Sequence, residues 1–161
     1  MNMKHIISAL VENHPGVLAR VIGLISGRGY NIDSLNVAPT QDVTTSRLTM
    51  TVPGDDRVTE QVTKQLNKLV DVIKVFDLTE RKYIDRELAL VKVSSTTKNR
   101  SAVIELAALC RAEIVAVQNK AMIIQMVGAT DAVDNFMELI KPHGIVEVSR
   151  TGVIAVGKAQ G

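Results

Sequence analysis

The apolar positions of this chain keep switching period. In "KHIISALVE", from Lys4, a β-rich apolar run predicts a strand. From about Gly16 to Gly27, residues Val17, Leu18, Val21, Ile22, Leu24 and Ile25 recur at the spacing of one helix face. Pro15 opens that helix, where a missing N–H costs nothing. Gly27 and Gly29 end it with residues that tolerate positive φ. "NIDSLNVAP" and "TTSRLTMTVPG" then predict two strands joined through Pro39 to Val43. "DDRVTEQVTKQLNKLV" predicts a second helix, acidic in its first turn and lysine-bearing later, as the macrodipole favours. "VDVIKVFDL" alternates Val72, Lys74 and Phe76 against Ile73 and Val75, a strand that closes the set.

The second half repeats the order. "RELALVKVSS" predicts a strand, "KNRSAVIELAALC" a helix, and "EIVAVQ" with "AMIIQMVG" two strands turning at Asn119-Lys120. "TDAVDNFMELIKP" predicts a helix capped by Thr130, and "GIVEVSRTG" the last strand. The strand–helix–strand portions align at a spacing of about 74 residues, a weak internal repeat. Twice β-α-β-β-α-β is an α+β architecture of two ferredoxin-like βαββαβ domains in tandem. The expected division is residues 1–78, a linker 79–87, and residues 88–161. The linker "TERKYIDRE" mixes three basic and three acidic residues and reads as solvated, and the tail "AVGKAQG" reads as mobile.

Composition narrows this picture. Hydrophobic residues make up 46% and aromatics 2%, so the core is aliphatic. Units of about 75 residues bury a modest share of their surface, and open sheet edges invite a partner, so oligomerisation is expected. A net charge of +2 pulls toward neither nucleic acid nor anionic membranes. The single cysteine, Cys110, lies in an apolar helical pattern and reads as a packing residue. It excludes an internal disulfide and fits a reducing, cytoplasmic location. No stretch reaches the ~18 apolar residues of a membrane span, and the N-terminus reads as a strand, not a signal peptide.

Candidate chemistry is sparse. His5, His14 and His143 have no other His or Cys at a metal-ligand spacing, so no metal site is expected. His14 reads as a turn histidine without a carboxylate partner, and no nucleophile motif appears, so no catalytic residue is assigned. "GLISGRGYN" lacks a P-loop ending, and its glycines close a helix where phosphate loops open one. RNA binding would need aromatics on the central strands, and "RLTMTV" and "MIIQMV" carry none. Residues 1–78 hold eight basic and eight acidic groups, which leaves no basic face for nucleic acid. In the second half, Lys98 and Arg100 at a helix start read as solvated in preference to the alternative, a surface for a partner or an anion.

What remains is the start of the first helix. The amides of Gly16, Val17 and Leu18 have no partners within it and lie at its positive end. They suit a small carboxylate, with no arginine invoked. Amide oxygens of Asn13 and Asn31 would accept from an ammonium group, and Val17, Leu18, Ile32 and Leu35 would suit an aliphatic side chain. Two readings stay open: a cradle for a free amino acid, or a plain Asn/Pro helix start.

"ISALVENHPGVLARVIGLISGRGYNIDSLNVAPT" closely resembles the opening of the regulatory (small) subunit of acetolactate synthase, or acetohydroxyacid synthase. The similarity continues through "SRLTMTVPGDD", "QLNKLVDVIKV", "RELALVKV" and "VEVSRTGVIA". The resemblance implies that the first half is an ACT domain, a ferredoxin-like amino-acid sensor that pairs side by side as a homodimer. It implies a non-catalytic partner of a large catalytic subunit, which carries the thiamine diphosphate, Mg2+ and FAD. The small subunit would raise that enzyme's activity and confer feedback inhibition by valine, or by leucine or isoleucine. The family's effector turn maps onto Asn13, His14, Pro15, Gly16, Val17 and Leu18, with Asn31 and Ile32 facing it from the other copy. Ala19 stands where some members carry a small hydroxyl. The alternatives are an ACT-type sensor serving another enzyme, or a stand-alone enzyme.

Overall fold

The structure, a computed structural model, describes residues 3–158. The first set of elements is β1 (Lys4–Glu12), α1 (Val17–Gly27), β2 (Ser34–Pro39), β3 (Thr45–Pro53), α2 (Asp56–Asn67) and β4 (Val72–Asp77). The second is β5 (Tyr83–Ser94), α3 (Arg100–Leu109), β6 (Glu113–Val117), β7 (Ala121–Gly128), α4 (Thr130–Ile140) and β8 (Ile145–Arg150), followed by β9 (Ile154–Gly157). The sheet orders are β2-β3-β1-β4 and β6-β7-β5-β8, antiparallel throughout, with β9 paired to β5. Each order is that of the ferredoxin-like fold expected from the sequence.

The period-2 pattern of β1 explains its central place. Ile7, Ala9 and Val11 point to one face and meet Leu48, Met50 and Val52 of β3, all at most 3% exposed. Val17, Val21 and Ile25 recur every fourth residue of α1 and close over them with Val62 and Leu66 of α2. The second core repeats the scheme: Ala89, Val91 and Val93 of β5 face Met122, Ile124 and Met126 of β7, under Val103, Ala107, Val133, Phe136 and Ile140.

Two compact units result, one of residues 3–84 with 152–158, the other of residues 85–151. The chain passes between them inside β5, so part of the stretch expected as a solvated linker is strand. Glu87 is 5% exposed because Arg150 neutralises it through a two-pronged contact, Nε to Oε1 at 2.5 Å and Nη2 to Oε2 at 3.0 Å.

The tail departs from expectation too. The first residues of "AVGKAQG" form β9, and Ala155 is 3% exposed against Ile6 and Leu78, with Phe76 and Tyr83 beside them. The Lys158 amide donates to the Lys82 carbonyl at 2.8 Å. An alternating apolar pair, Val153 and Ala155, had a sheet to bury against, which a short segment read alone does not reveal. Residues 159–161 of that tail lie outside the described residues.

Thr130 is not the cap of α4. Its N-cap is Ala129, and the carboxylate of Asp85, 45 residues earlier, accepts from the Thr130 amide at 3.1 Å. A distant acid does the work expected of the local hydroxyl. Arg100 is likewise not a free solvated cation: it donates to Ser95 Oγ and to the carbonyls of Gln118 and Asn119. Among the described residues no helix is long and apolar enough to cross a membrane.

Candidate functional site

The start of α1 is built differently from that of α2. In α2, Asp55 accepts from the Arg57 and Val58 amides at 3.1 and 3.3 Å and closes the end. In α1 the N-cap is Gly16, with no side-chain cap and no acid in the first turn. Gly16 stands at φ +88°, a left-handed conformation that turns the chain sharply into the helix. The Val17 amide reaches the His14 carbonyl at only 3.5 Å, a weak turn bond that the sequence did not signal. Among the described residues the Gly16 and Leu18 amides make no backbone hydrogen bond, and they sit at the positive helix end.

The side chains of the turn divide. Asn13 is held by its own loop, its backbone amide on the Thr44 carbonyl and its side-chain amide on the Val43 carbonyl, both at 2.8 Å. Val17, expected to line the cradle, is 3% exposed and belongs to the core, so only its amide is available. Leu18 is 40% exposed and free to touch a ligand. Pro15 is exposed and leads into Gly16. Beyond the other end of α1, Asn31 donates its amide to Asp33 Oδ1 at 2.8 Å, which leaves its carbonyl oxygen to accept. Ile32 and Leu35 pack half-buried against the first core.

His14 corrects the sequence reading, which gave it no carboxylate. Its Nε2 lies 2.9 Å from Glu12 Oε2 and 3.2 Å from Asp71 Oδ1. Glu12 ends β1 two residues earlier on the same side, and Asp71 arrives through the β1–β4 pairing, 57 residues away in sequence. The hydrogen bond to Glu12 foremost, then the Pro15 carbonyl, raise the imidazole above its ordinary value; partial desolvation opposes them, and the Asp71 and Glu12 charges add to the rise. Asp71 is held below the usual carboxylate range, first by Arg20, whose Nε donates to Oδ2 at 2.7 Å. The donor atoms of Glu12, His14 and Asp71 lie within 4.8 Å of one another, close enough for a metal ion. The guanidinium already on Asp71 opposes any added cation there.

A pH titration followed by NMR is expected to place His14 above about 6.5, and Glu12→Gln to move it back toward that value. Because the folded value is the raised one, the His14–Glu12 ion pair is present below the ordinary histidine value, wherever Glu12 is still ionised. It is lost as pH rises through the folded pKa.

The two ends of α1 are far apart. Eleven residues at 1.5 Å each make α1 about 16 Å long, several times the reach of one amino acid. Cavities of about 180 and 340 Å³ lie elsewhere in this unit, lined by Arg47, Phe76 and Lys82 in one case and by His5, Thr59 and Asp77 in the other. Neither includes a residue of the 13–18 turn.

Sequence comparison resolves the family. Residues 7–74 match the model of the "AHAS small subunit-like ACT domain", and residues 86–159 that of the "small subunit of acetolactate synthase". A probable acetolactate synthase small subunit of Archaeoglobus fulgidus is 48% identical over 154 residues, covering 96% of each chain. The chain belongs to the acetolactate synthase small-subunit family. The small subunit of Haemophilus influenzae is 44% identical, over 98% of each chain. The crystal structure of the Thermotoga maritima small subunit superposes with a TM-score of 0.87 at 35% identity, over 98% of this chain and 99% of that one. Membership makes the first unit an ACT domain and gives the chain a place as the small subunit beside a large one.

Arg20 and Asp33 escaped the sequence reading. The signal for Arg20 was its spacing: it lies four residues after a glycine, where a long side chain can fold back over the missing Cβ. Asp33 was betrayed only by its place two residues beyond Asn31.

Proposed function

We propose that this chain is the regulatory, non-catalytic subunit of acetolactate synthase in branched-chain amino-acid biosynthesis. It activates the large catalytic subunit and makes it sensitive to valine, or to leucine or isoleucine. The catalytic partner carries the thiamine diphosphate, Mg2+ and FAD. The small subunit acts as a homodimer through its ACT domains, in the cytoplasm.

One observation supports the sensing arrangement: the two ends of α1 are about 16 Å apart in one chain. A two-fold axis that lays two α1 helices antiparallel brings the start of one against the end of the other, and creates two identical sites. The effector carboxylate then meets the Gly16 and Leu18 amides of one copy. Its ammonium meets the Asn31 carbonyl and Asp33 of the other, beside Ile32 and Leu18. The β2 edge, bonded on one side to β3, supplies backbone for the same pairing. Effector binding biases this interface, and linkage requires the catalytic partner to change effector affinity by the same factor as the reverse.

Reconstitution tests the reading. The catalytic subunit assayed with and without this chain, under a valine titration, is expected to gain rate and to lose it as valine is added. Valine binding without stimulation would assign the sensor to another enzyme.

A further inference from the structure

The Arg20 side chain folds back from the second turn of α1 toward the helix start. Asp71 grips it by one edge, through Nε at 2.7 Å, and among the described residues Nη1 and Nη2 make no hydrogen bond. That free edge lies over Gly16: a β-carbon there would stand 2.8 Å from Nη1 and 3.6 Å from Cζ. A positive group beside a helix N-terminus works against the macrodipole, and an exposed Arg–Asp pair gives little stability in return.

We propose that Arg20, oriented by Asp71, is the charged partner of the effector's carboxylate. This rests on the effector reading above and sharpens it. Main-chain amides accept many anions or polar oxygens, whereas a guanidinium edge adds a charge-assisted, directional contact to a planar carboxylate. The site therefore demands a free carboxylate. An amide of the same amino acid, alike in side chain and ammonium, leaves Arg20 without its counter-charge. Asp71 keeps the edge pointed at Gly16, and the glycine is what gives the edge room.

The test uses the complex of this chain with the catalytic subunit, inhibited by valine or by valinamide. Arg20→Met is expected to raise the half-inhibitory valine concentration about 10- to 100-fold, the worth of one or two charge-assisted hydrogen bonds. It is expected to leave valinamide nearly unaffected, so the preference of the parent complex for valine over valinamide shrinks. Arg20→Lys should recover part of that preference. Asp71→Asn should lose a smaller part, and thermal melting confirms that each variant is folded. An equal rise for both ligands would make Arg20 merely structural and overturn the proposal. So would an unchanged valine response in Arg20→Met when Gly16→Asp has lost its response. If both variants keep full valine sensitivity, the effector site itself is misplaced.

Discussion

Replacing Gly16 with aspartate is expected to raise the valine concentration for half-inhibition by at least about 100-fold, from the loss of two charge-assisted contacts worth about 1.5–3 kcal/mol each. Two effects act together. The new carboxylate would stand where the proposed site receives the effector's carboxylate, and would satisfy Arg20 and the first-turn amides from within the chain. The β-carbon itself meets Arg20 Nη1 at 2.8 Å and must hold a left-handed backbone, which costs about 1–2 kcal/mol for a residue other than glycine. Gly16→Ala separates them, since it carries the strain and displaces Arg20 without adding charge. Alanine is expected to weaken inhibition less than aspartate does. The readout is the ratio of rates with and without valine in each variant, so altered stimulation alone does not count. Equal sensitivity of Gly16→Asp and the parent chain would place the effector elsewhere.

The second large effect concerns stability. Arg150 makes the two-pronged contact to Glu87 and also reaches Asp134 Oδ1 at 2.8 Å, while the Glu87 side chain is only 4% exposed. Both carboxylates hold the guanidinium well above its ordinary range, Glu87 foremost. Arg150→Met leaves Glu87 buried without its counter-charge, an arrangement that costs about 3–5 kcal/mol. For a unit of 67 residues that lowers the melting temperature by at least about 12 °C, at about 4–8 °C per kcal/mol. Replacing both partners, Glu87→Leu with Arg150→Met, is expected to recover most of the loss, because the penalty lies in the orphaned charge. A single variant that melts with the parent protein would show that water reaches Glu87 freely. Differential scanning calorimetry on the three chains decides it.

These two sites differ in how far the sequence disclosed them. The β1 and β3 alternations and the 17, 21, 25 spacing of α1 are local periodicities, and each names an element and its buried face without further help. Asn13, Pro15, Gly16 and Asn31 likewise announce themselves as helix punctuation. Contacts across the sheet do not. Asp71 joins His14 and Arg20 only because β4 lies beside β1, and Asp85 caps α4 only because β5 passes its start. Glu87 looked solvated among its charged neighbours, since its partner is 63 residues away. Val17 was assigned to the ligand on its position in the turn, yet the same residue begins the 17, 21, 25 stripe, and the core claims it. Charge pairs and competing burial are tertiary facts.

The proposed shared site makes one sharp demand: two chains disabled in different halves must repair each other. Gly16→Asp spoils the carboxylate half, and Asn31→Lys, at an exposed position, spoils the ammonium half. Homodimers of either variant should bind no valine by calorimetry. Differently tagged chains, co-expressed and purified as the mixed dimer, should bind one valine per dimer, because one of the two composite sites then draws both halves from unaltered positions. A mixed dimer that binds none would mean that each effector is held within a single chain, and the arrangement across the two-fold axis would be wrong.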